Sequence, residues 1–374
     1  MPSPTNRCRR AVVTVCAGGQ PRSDHERVSQ AWVARRLAEL AGWEYAGEYD
    51  PAHPPALRPY FVPDDTLTAA QAARLGIAGE DDLFGGVVPH AFIASKVITH
   101  GLPRECASAP EGWRAELGER LRPVVLDGFS AFCPHSAGSA GRELLARGGA
   151  IRLKPAQARG GQGQQRVEHP DHLEQAVAAL DLLQLQQHGM VLEQDLVEAT
   201  TCSVGQVRIA DLVLSYLGTQ QQAPDREGLE VYTGSRLQVV TGGYEALEAV
   251  AGDALQREAL DCARRYDAAV AEVHPGFYAS RRNYDVIAGR DARGRWRCGV
   301  LEQSWRLGGA SPAEVVALDA FLSGRVPRGA LTASCHESHD LAHRPPPHAQ
   351  VHFHDPFARR GPVLKYAVVH GNPP

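Results

Sequence analysis

The feature that most narrows what this chain can fold into is a short strand running straight into a glycine cluster, Ile151-Arg-Leu-Lys-Pro-Ala-Gln-Ala-Arg-Gly-Gly-Gln-Gly-Gln164. Ile151 and Leu153 alternate with Arg152 and Lys154, the pattern of a strand with one face on a core. Glycines let backbone N–H groups converge on an anion with no Cβ in the way. Gly160, Gly161 and Gly163 between two strands therefore form a candidate phosphate cradle, with a plain glycine-rich hairpin turn as the other reading. Lys154 bears on that choice. Of 39 Lys and Arg residues only Lys96, Lys154 and Lys365 are lysine. A lysine kept against so strong an arginine bias marks a place for a compact ammonium where a planar guanidinium will not serve.

At 374 residues the chain is long enough for two or three packed units. A formal net charge of −4 argues against a nucleic-acid partner held by a broad basic surface. No run of 18 apolar residues exists to span a membrane, and the short apolar run from Ala11 to Ala17 reads as a first strand rather than a signal peptide. Eight cysteines without a C-x-x-C pair fit reduced thiols, so a cytoplasmic, bacterial-type protein is expected.

Periodicity then places the elements. A strand over 10–17 precedes a helix whose stripe is Val28, Trp32, Val33, Leu37 and Leu40, and a proline-rich connection follows over 50–65. Together they predict a small N-terminal α/β domain over 1–90. Further on come a helix over 172–189, a strand over 190–196, a hairpin turning near Ala210-Asp211 and a long helix over 244–272. Two strands joined by the 290–296 segment follow, and a Pro/His-rich segment over 336–374 ends in an edge strand.

The second constellation is the strand Gly299-Val-Leu-Glu-Gln-Ser-Trp-Arg306. In an extended segment Glu302, Ser304 and Arg306 project from one face. A carboxylate, a hydroxyl and a guanidinium in a row make a poor core and a good site for metal-bound polyphosphate, and Asp285 in the neighbouring strand adds a second carboxylate. Arg281, Arg282 and Asn283 just before it are candidates for clamping an anionic substrate, or are solvated surface. The tail histidines, His352 and His354 included, read as incidental, since the H-E-x-x-H spacing fails. No Walker loop, no dinucleotide fingerprint and no G-x-S-x-G elbow occurs.

The order of Lys96, "RLKPAQARGGQGQ", "VLEQDL", "TCSVGQV", "NYDVIAG" and "VLEQSWRLGGAS" resembles the ATP-grasp superfamily of ATP-dependent carboxylate–amine ligases over about residues 90–312. At closer range, "DDLFGGVVPHAFIASKVITH" and "YDVIAGRDARGRWRCGVLEQSWRLGGAS" are similar to the bacterial family called domain of unknown function 3182. The resemblance implies an α+β, α/β chain. A small N-terminal α/β domain would precede a two-lobed ATP-grasp-like region over 91–335, with lobes near 91–195 and 196–335.

It also implies ATP with one or two Mg²⁺ ions. Lys96, Lys154 and the glycines at 160, 161 and 163 would hold phosphates, and Leu192 and Glu193 would lie on the adenine side. Asp285, Glu302 and Ser304 would bind metal, and Arg306 with Lys154 would act in catalysis. Ser304 stands where the family pattern Glu-x-Asn-x-Arg has asparagine. The implied activity is ligation of a small carboxylate to an amine through an acyl phosphate. The rivals are a phosphotransferase using the same nucleotide site and a regulatory protein that binds nucleotide without turnover.

Overall fold

A computed structural model describes residues 9–18, 22–104, 108–158, 162–224, 230–326, 329–358 and 361–371. The N-terminal strand Ala11–Val15 lies between Glu44–Glu48 and Pro59–Pro63 in a three-stranded parallel sheet. Parallel neighbours need a crossover, and the helix Asp24–Ala41 supplies it. Its entry is fixed by the Glu26 carboxylate accepting from the Ser23 N–H at 2.8 Å, and Gly42 ends it in the left-handed conformation, φ 67°. Of the expected stripe Val33 and Leu37 are buried, together with Ala34 and Ala38, whereas Trp32 and Leu40 are half-buried and Val28 is exposed. The unit is tied to the rest of the chain: Gly86–Val88 pairs with Leu67–Thr68 on one side and with Tyr278–Ala279 on the other.

A four-stranded antiparallel sheet follows, in the order Gly128–Ala131, Met190–Gln194, Ile151–Pro155 and Gln165–Val167. Ile151, Leu153 and Leu192 pack with Leu144 and Leu173 of the overlying helices. The single helix expected over 172–189 is two, Pro170–Ala178 and Leu182–His188. Asp181 begins the second, its carboxylate accepting from the N–H groups of Leu183 and Gln184, and that cap explains the break.

The largest element is an eight-stranded sheet ordered Trp296–Ser304, Arg281–Arg290, Val197–Ile209, Leu212–Pro224, Glu230–Thr241, Ala330–Ser338, Val363–His370, Gln350–Asp355. The hairpin at Ala210-Asp211 forms as expected, with Ala210 at φ 47°. The helix expected over 244–272 is interrupted: Asp253 caps a new helix, Ala254–Val273, after the short Tyr244–Glu248. Val363–His370 is an interior strand rather than an edge, because Gln350–Asp355 folds back along its outer side. Position 335, where the sequence suggested a boundary, falls inside Ala330–Ser338. The helix Ser311–Leu322 packs against this sheet and against the N-terminal helix, and is buried on all sides, as its uniformly apolar middle demands. Among the described residues no helix is long and apolar enough to cross a membrane.

Candidate functional site

The four-stranded sheet, the eight-stranded sheet and the N-terminal unit enclose a cavity of about 1110 Å³. Strand alternation decides which side chains enter it. In Ile151–Pro155 the core face holds Ile151 and Leu153, so Arg152 and Lys154 reach the cavity. Lys154 is 4% exposed and its Nζ donates to Oε1 of Glu193 on the adjacent strand. The other carboxylate oxygen of Glu193 lies 3.2 Å from Nε2 of His100. Burial would raise the pKa of Glu193, but the charge of Lys154 and the hydrogen bond from His100 outweigh it and hold the group down at about 2.

Lys96 comes from a different element. It opens a short 3-10 turn, Lys96–Thr99. The turn is secured by Gln303, whose Nε2 donates to the carbonyls of Ile93 and Ser95 at 2.9 and 2.8 Å. Lys96 Nζ lies 2.6 Å from Oε2 of Glu302 and donates to the carbonyl of Ala158 at 2.7 Å. This buried ammonium therefore joins the carboxylate strand to the entrance of the glycine segment.

Glu302, Ser304 and Arg306 all line the cavity, as the one-face reading requires, while Gln303 and Trp305 point away into packed surroundings. Asp285 is the cross-strand partner of Glu302, with a register shift immediately after it. Its Oδ1 accepts from Ser203 Oγ at 2.9 Å, Gln220 Nε2 at 3.0 Å and Asn283 Nδ2 at 3.0 Å. Burial first, and then the charge of Glu302, push its pKa up, although these three donors pull the other way. Two facing carboxylates, one of them raised, suit a divalent cation that also takes phosphate oxygens. Among the described residues no cluster of three or more His, Cys, Asp or Glu side chains is arranged to hold a metal by itself.

The arginine pair at 281–282 is split by the same alternation. Arg281 lies under the cavity floor and is 1% exposed. Its Nε and Nη2 grip the Glu314 carboxylate at 3.0 and 2.9 Å, and its Nη1 donates to the carbonyls of Ser304 and Arg306. Its work is to hold the end of the carboxylate strand rather than to present an open clamp. Arg282 corrects the expected clamp outright: it is on the opposite strand face, 3.2 Å from Asp267 and over the ring of Phe277, and does not line the cavity. Asn283 does line it, between Tyr216 and Asp285.

Leu192 faces the core of its sheet, so only Glu193 of that pair reaches the cavity. Gly163 is left-handed at φ 66°, whereas Gly160 and Gly161 lie outside the described residues. Arg306 Nε stands 3.8 Å from Oδ1 of Asp65, an N-terminal residue that the motifs did not single out. Gln220, His100, Gln303 and Glu314 were likewise unmarked. Each is an ordinary polar residue in sequence and acquires a role only through a partner far along the chain. Cys202 and Cys335 are buried thiols, and Cys298 is half-buried with its thiol in contact with Cys262. His352 is buried against Trp32 and Ser29, with its pKa lowered to about 3 by burial and by Lys365, whereas His354 is exposed.

Residues 13–367 match the family described as Protein of unknown function (DUF3182). No curated protein matches the chain. By structure it is similar to N5-carboxyaminoimidazole synthetase from Staphylococcus aureus, at TM-score 0.52 and 12% identity over 97% of this chain and 95% of that one. It is also similar to the biotin carboxylase domain of 2-oxoglutarate carboxylase from Hydrogenobacter thermophilus, a structure in complex with MgADP, ADP and bicarbonate, at TM-score 0.53 and 12% identity over 97% and 86% of the two chains. A third similar structure is a complex of biotin carboxylase from Campylobacter jejuni, at TM-score 0.50 and 11% identity over 95% and 87%. At these identities the likeness concerns the fold, which is that of the ATP-grasp proteins.

Proposed function

The chain belongs to the DUF3182 family and has the ATP-grasp fold, and from that premise we propose that it is an ATP-dependent ligase joining the carboxylate of a small molecule to an amine through an acyl phosphate. One observation carries the reading. Lys96 and Lys154, from separate elements, meet Glu302 and Glu193 in a single cavity beside Asp285. Within the cavity each ammonium rests on a carboxylate, and a polyphosphate is the ligand class that would draw both toward it.

The residues present fit Mg-ATP. Asp285 and Glu302 would hold Mg²⁺, and Ser304 offers a hydroxyl beside them. When bound, the metal would supply positive charge that offsets the phosphate charge. Lys96 and Lys154 bind phosphate oxygens, Lys96 from beside the glycine segment through Ala158. Ser203, Gln220 and Asn283 keep the Asp285 carboxylate in one orientation. Arg306 offsets negative charge that grows on the transferred phosphoryl group. The substrate carboxylate attacks the γ-phosphorus, ADP leaves, and the amine displaces phosphate from the acyl carbon.

Ser304 supports one other reading, a protein that binds nucleotide without turnover. Its hydroxyl lies 3.4 Å from Arg281 Nη1 and offers a single oxygen where the family's asparagine offers a carbonyl. A phosphotransferase on the same site is separated by product: a ligase releases free phosphate, and a kinase leaves it on the acceptor. Thermal unfolding with and without Mg-ATP tests the site. Saturation at about a hundred times the dissociation constant stabilises the native state by roughly 2.7 kcal/mol. A metal-dependent rise that is lost in Lys154→Met supports the nucleotide site; no rise in the unaltered protein sinks it.

A further inference from the structure

All three lysines of this chain line the same cavity, and each rests on a glutamate that lines it too: Lys96 on Glu302, Lys154 on Glu193 and Lys365 on Glu337. The first two pairs belong to the nucleotide half. The third does not. Glu337 and Lys365 are cross-strand partners on Ala330–Ser338 and Val363–His370, and they face the N-terminal helix. We propose that this third pair marks the acceptor pocket, and that its ligand is zwitterionic, carrying a free carboxylate and a free amine as an α-amino acid does. The inference rests on the ligase reading above.

The argument is one of charge matching. Lys365 Nζ lies 2.8 Å from Oε2 of Glu337 and 3.3 Å from Nδ1 of His25. Burial, and then the charge of Lys365, lower the pKa of His25, so its ring is the acceptor in that contact. An ammonium has three donors, and these two contacts engage two of them. Also near the pair are Ser29 with His352, which bond each other at 3.1 Å, His339, whose Nε2 lies 3.4 Å from the other oxygen of Glu337, the Glu26 carboxylate on the His25 side and Tyr232 on the Glu337 side. The pair is therefore electroneutral, partly shielded and reachable, with Lys365 at 15% and Glu337 at 22% side-chain exposure. A lone anion would meet the Glu337 carboxylate, and a lone cation would meet the Lys365 ammonium. A ligand bearing both charges replaces the pair contact for contact and leaves neither partner unmatched.

The test uses the full chain. Its thermal shift with Mg-ATP is recorded first. The proteinogenic L-α-amino acids are then titrated with and without nucleotide, each beside its carboxamide and its N-acetyl derivative. At least one amino acid raises the melting temperature, and its amide and N-acetyl forms bind about tenfold more weakly or worse, the loss of one charge-assisted hydrogen bond each. In Lys365→Met the preference for acid over amide disappears while that for free amine persists; in Glu337→Gln the reverse holds. A purely structural role would not divide the two preferences in this way. If Mg-ATP shifts the protein but no amino acid does, or if amides bind as well as acids, or if both variants keep both preferences, the proposal is overturned and the nucleotide reading stands. If Mg-ATP produces no shift the ligase reading falls. A rise with an amino acid alone, split between the two variants as described, would still support the pocket.

Discussion

Asp285 and Glu302 stand directly across from each other in the hairpin of Arg281–Arg290 and Trp296–Ser304, two carboxylates facing one cavity with Lys96 on the outer one. Like charges held this way are unfavourable without a cation, and burial first, then the charge of Glu302, makes Asp285 gain a proton more readily than an ordinary aspartate.

Replacing Asp285 with asparagine removes one of the two charges and keeps an oxygen for the donors from Ser203, Gln220 and Asn283. The expected outcome is a higher melting temperature at neutral pH in the absence of nucleotide. Turnover falls at the same time, with ADP formation reduced by about two orders of magnitude or more. A melting temperature unchanged or lowered would show that the facing charges carry no strain.

Glu193 shifts in the other direction. With its pKa held at about 2 rather than 4.5, it contributes stability that is present above the higher value and lost as pH falls through the lower one. Glu193→Gln leaves a buried Lys154 without its partner, at a cost of about 3–5 kcal/mol near neutrality. In urea titrations the gap between the two proteins narrows as pH falls from 4.5 toward 2. The double variant Lys154→Met/Glu193→Gln is less destabilised than the sum of the single ones.

The Arg281–Glu314 pair is the buried brace of the site. Both side chains are almost fully enclosed, and Tyr216 Oη adds a contact to Glu314 at 2.7 Å. Glu314→Gln weakens a bidentate pair into ordinary hydrogen bonds and strands the guanidinium, for a loss of about 3–5 kcal/mol in denaturant unfolding. Because Arg281 also holds the carbonyls of Ser304 and Arg306, Mg-ATP affinity drops in the same variant. Retained affinity in a destabilised protein would confine the pair to a role in folding.

Gly86 marks where the N-terminal unit presses on the site. A Cβ there would stand 2.6 Å from Cβ of Trp305 and 3.2 Å from Cβ of Ala279, with no flexible chain end to yield. Gly86→Ala should cost about 1–3 kcal/mol by overpacking. Displacement of Trp305, which lies between Ser304 and Arg306, would lower the nucleotide-dependent thermal shift as well.

What the sequence disclosed were the groups whose chemistry is conspicuous locally. Lys154 stood out against an arginine-rich background, and Glu302, Ser304 and Arg306 were readable because a polar row on one strand face has few other uses. The split of Arg281 from Arg282 was in principle available from the same alternation, but adjacent arginines suggested a joint role that opposite strand faces forbid. The breaks at Asp181 and Asp253 show capping signals overriding a continuous apolar period. Gln303, Glu314, His100 and Lys365 could not be assigned in advance. Their partners, Ser95, Arg281, Glu193 and His25, are fixed by sheet order and by the return of the last strands, neither of which local pattern encodes.

The return of those strands has a consequence for the order in which the protein becomes competent. His25 and Ser29 belong to the first helix, and Lys365 and His352 to the last two strands, yet all four border one cavity. Synthesis proceeds from the N-terminus, and early regions fold first. The part of the cavity built by Lys96, Lys154, Asp285 and Glu302, with its Glu314 brace, precedes those strands in the chain and can be assembled while the opposite part still lacks a wall. A nascent chain that has already gathered Lys96 and Lys154 therefore has no finished cavity until the strands Gln350–Asp355 and Val363–His370 lie against the helix Asp24–Ala41.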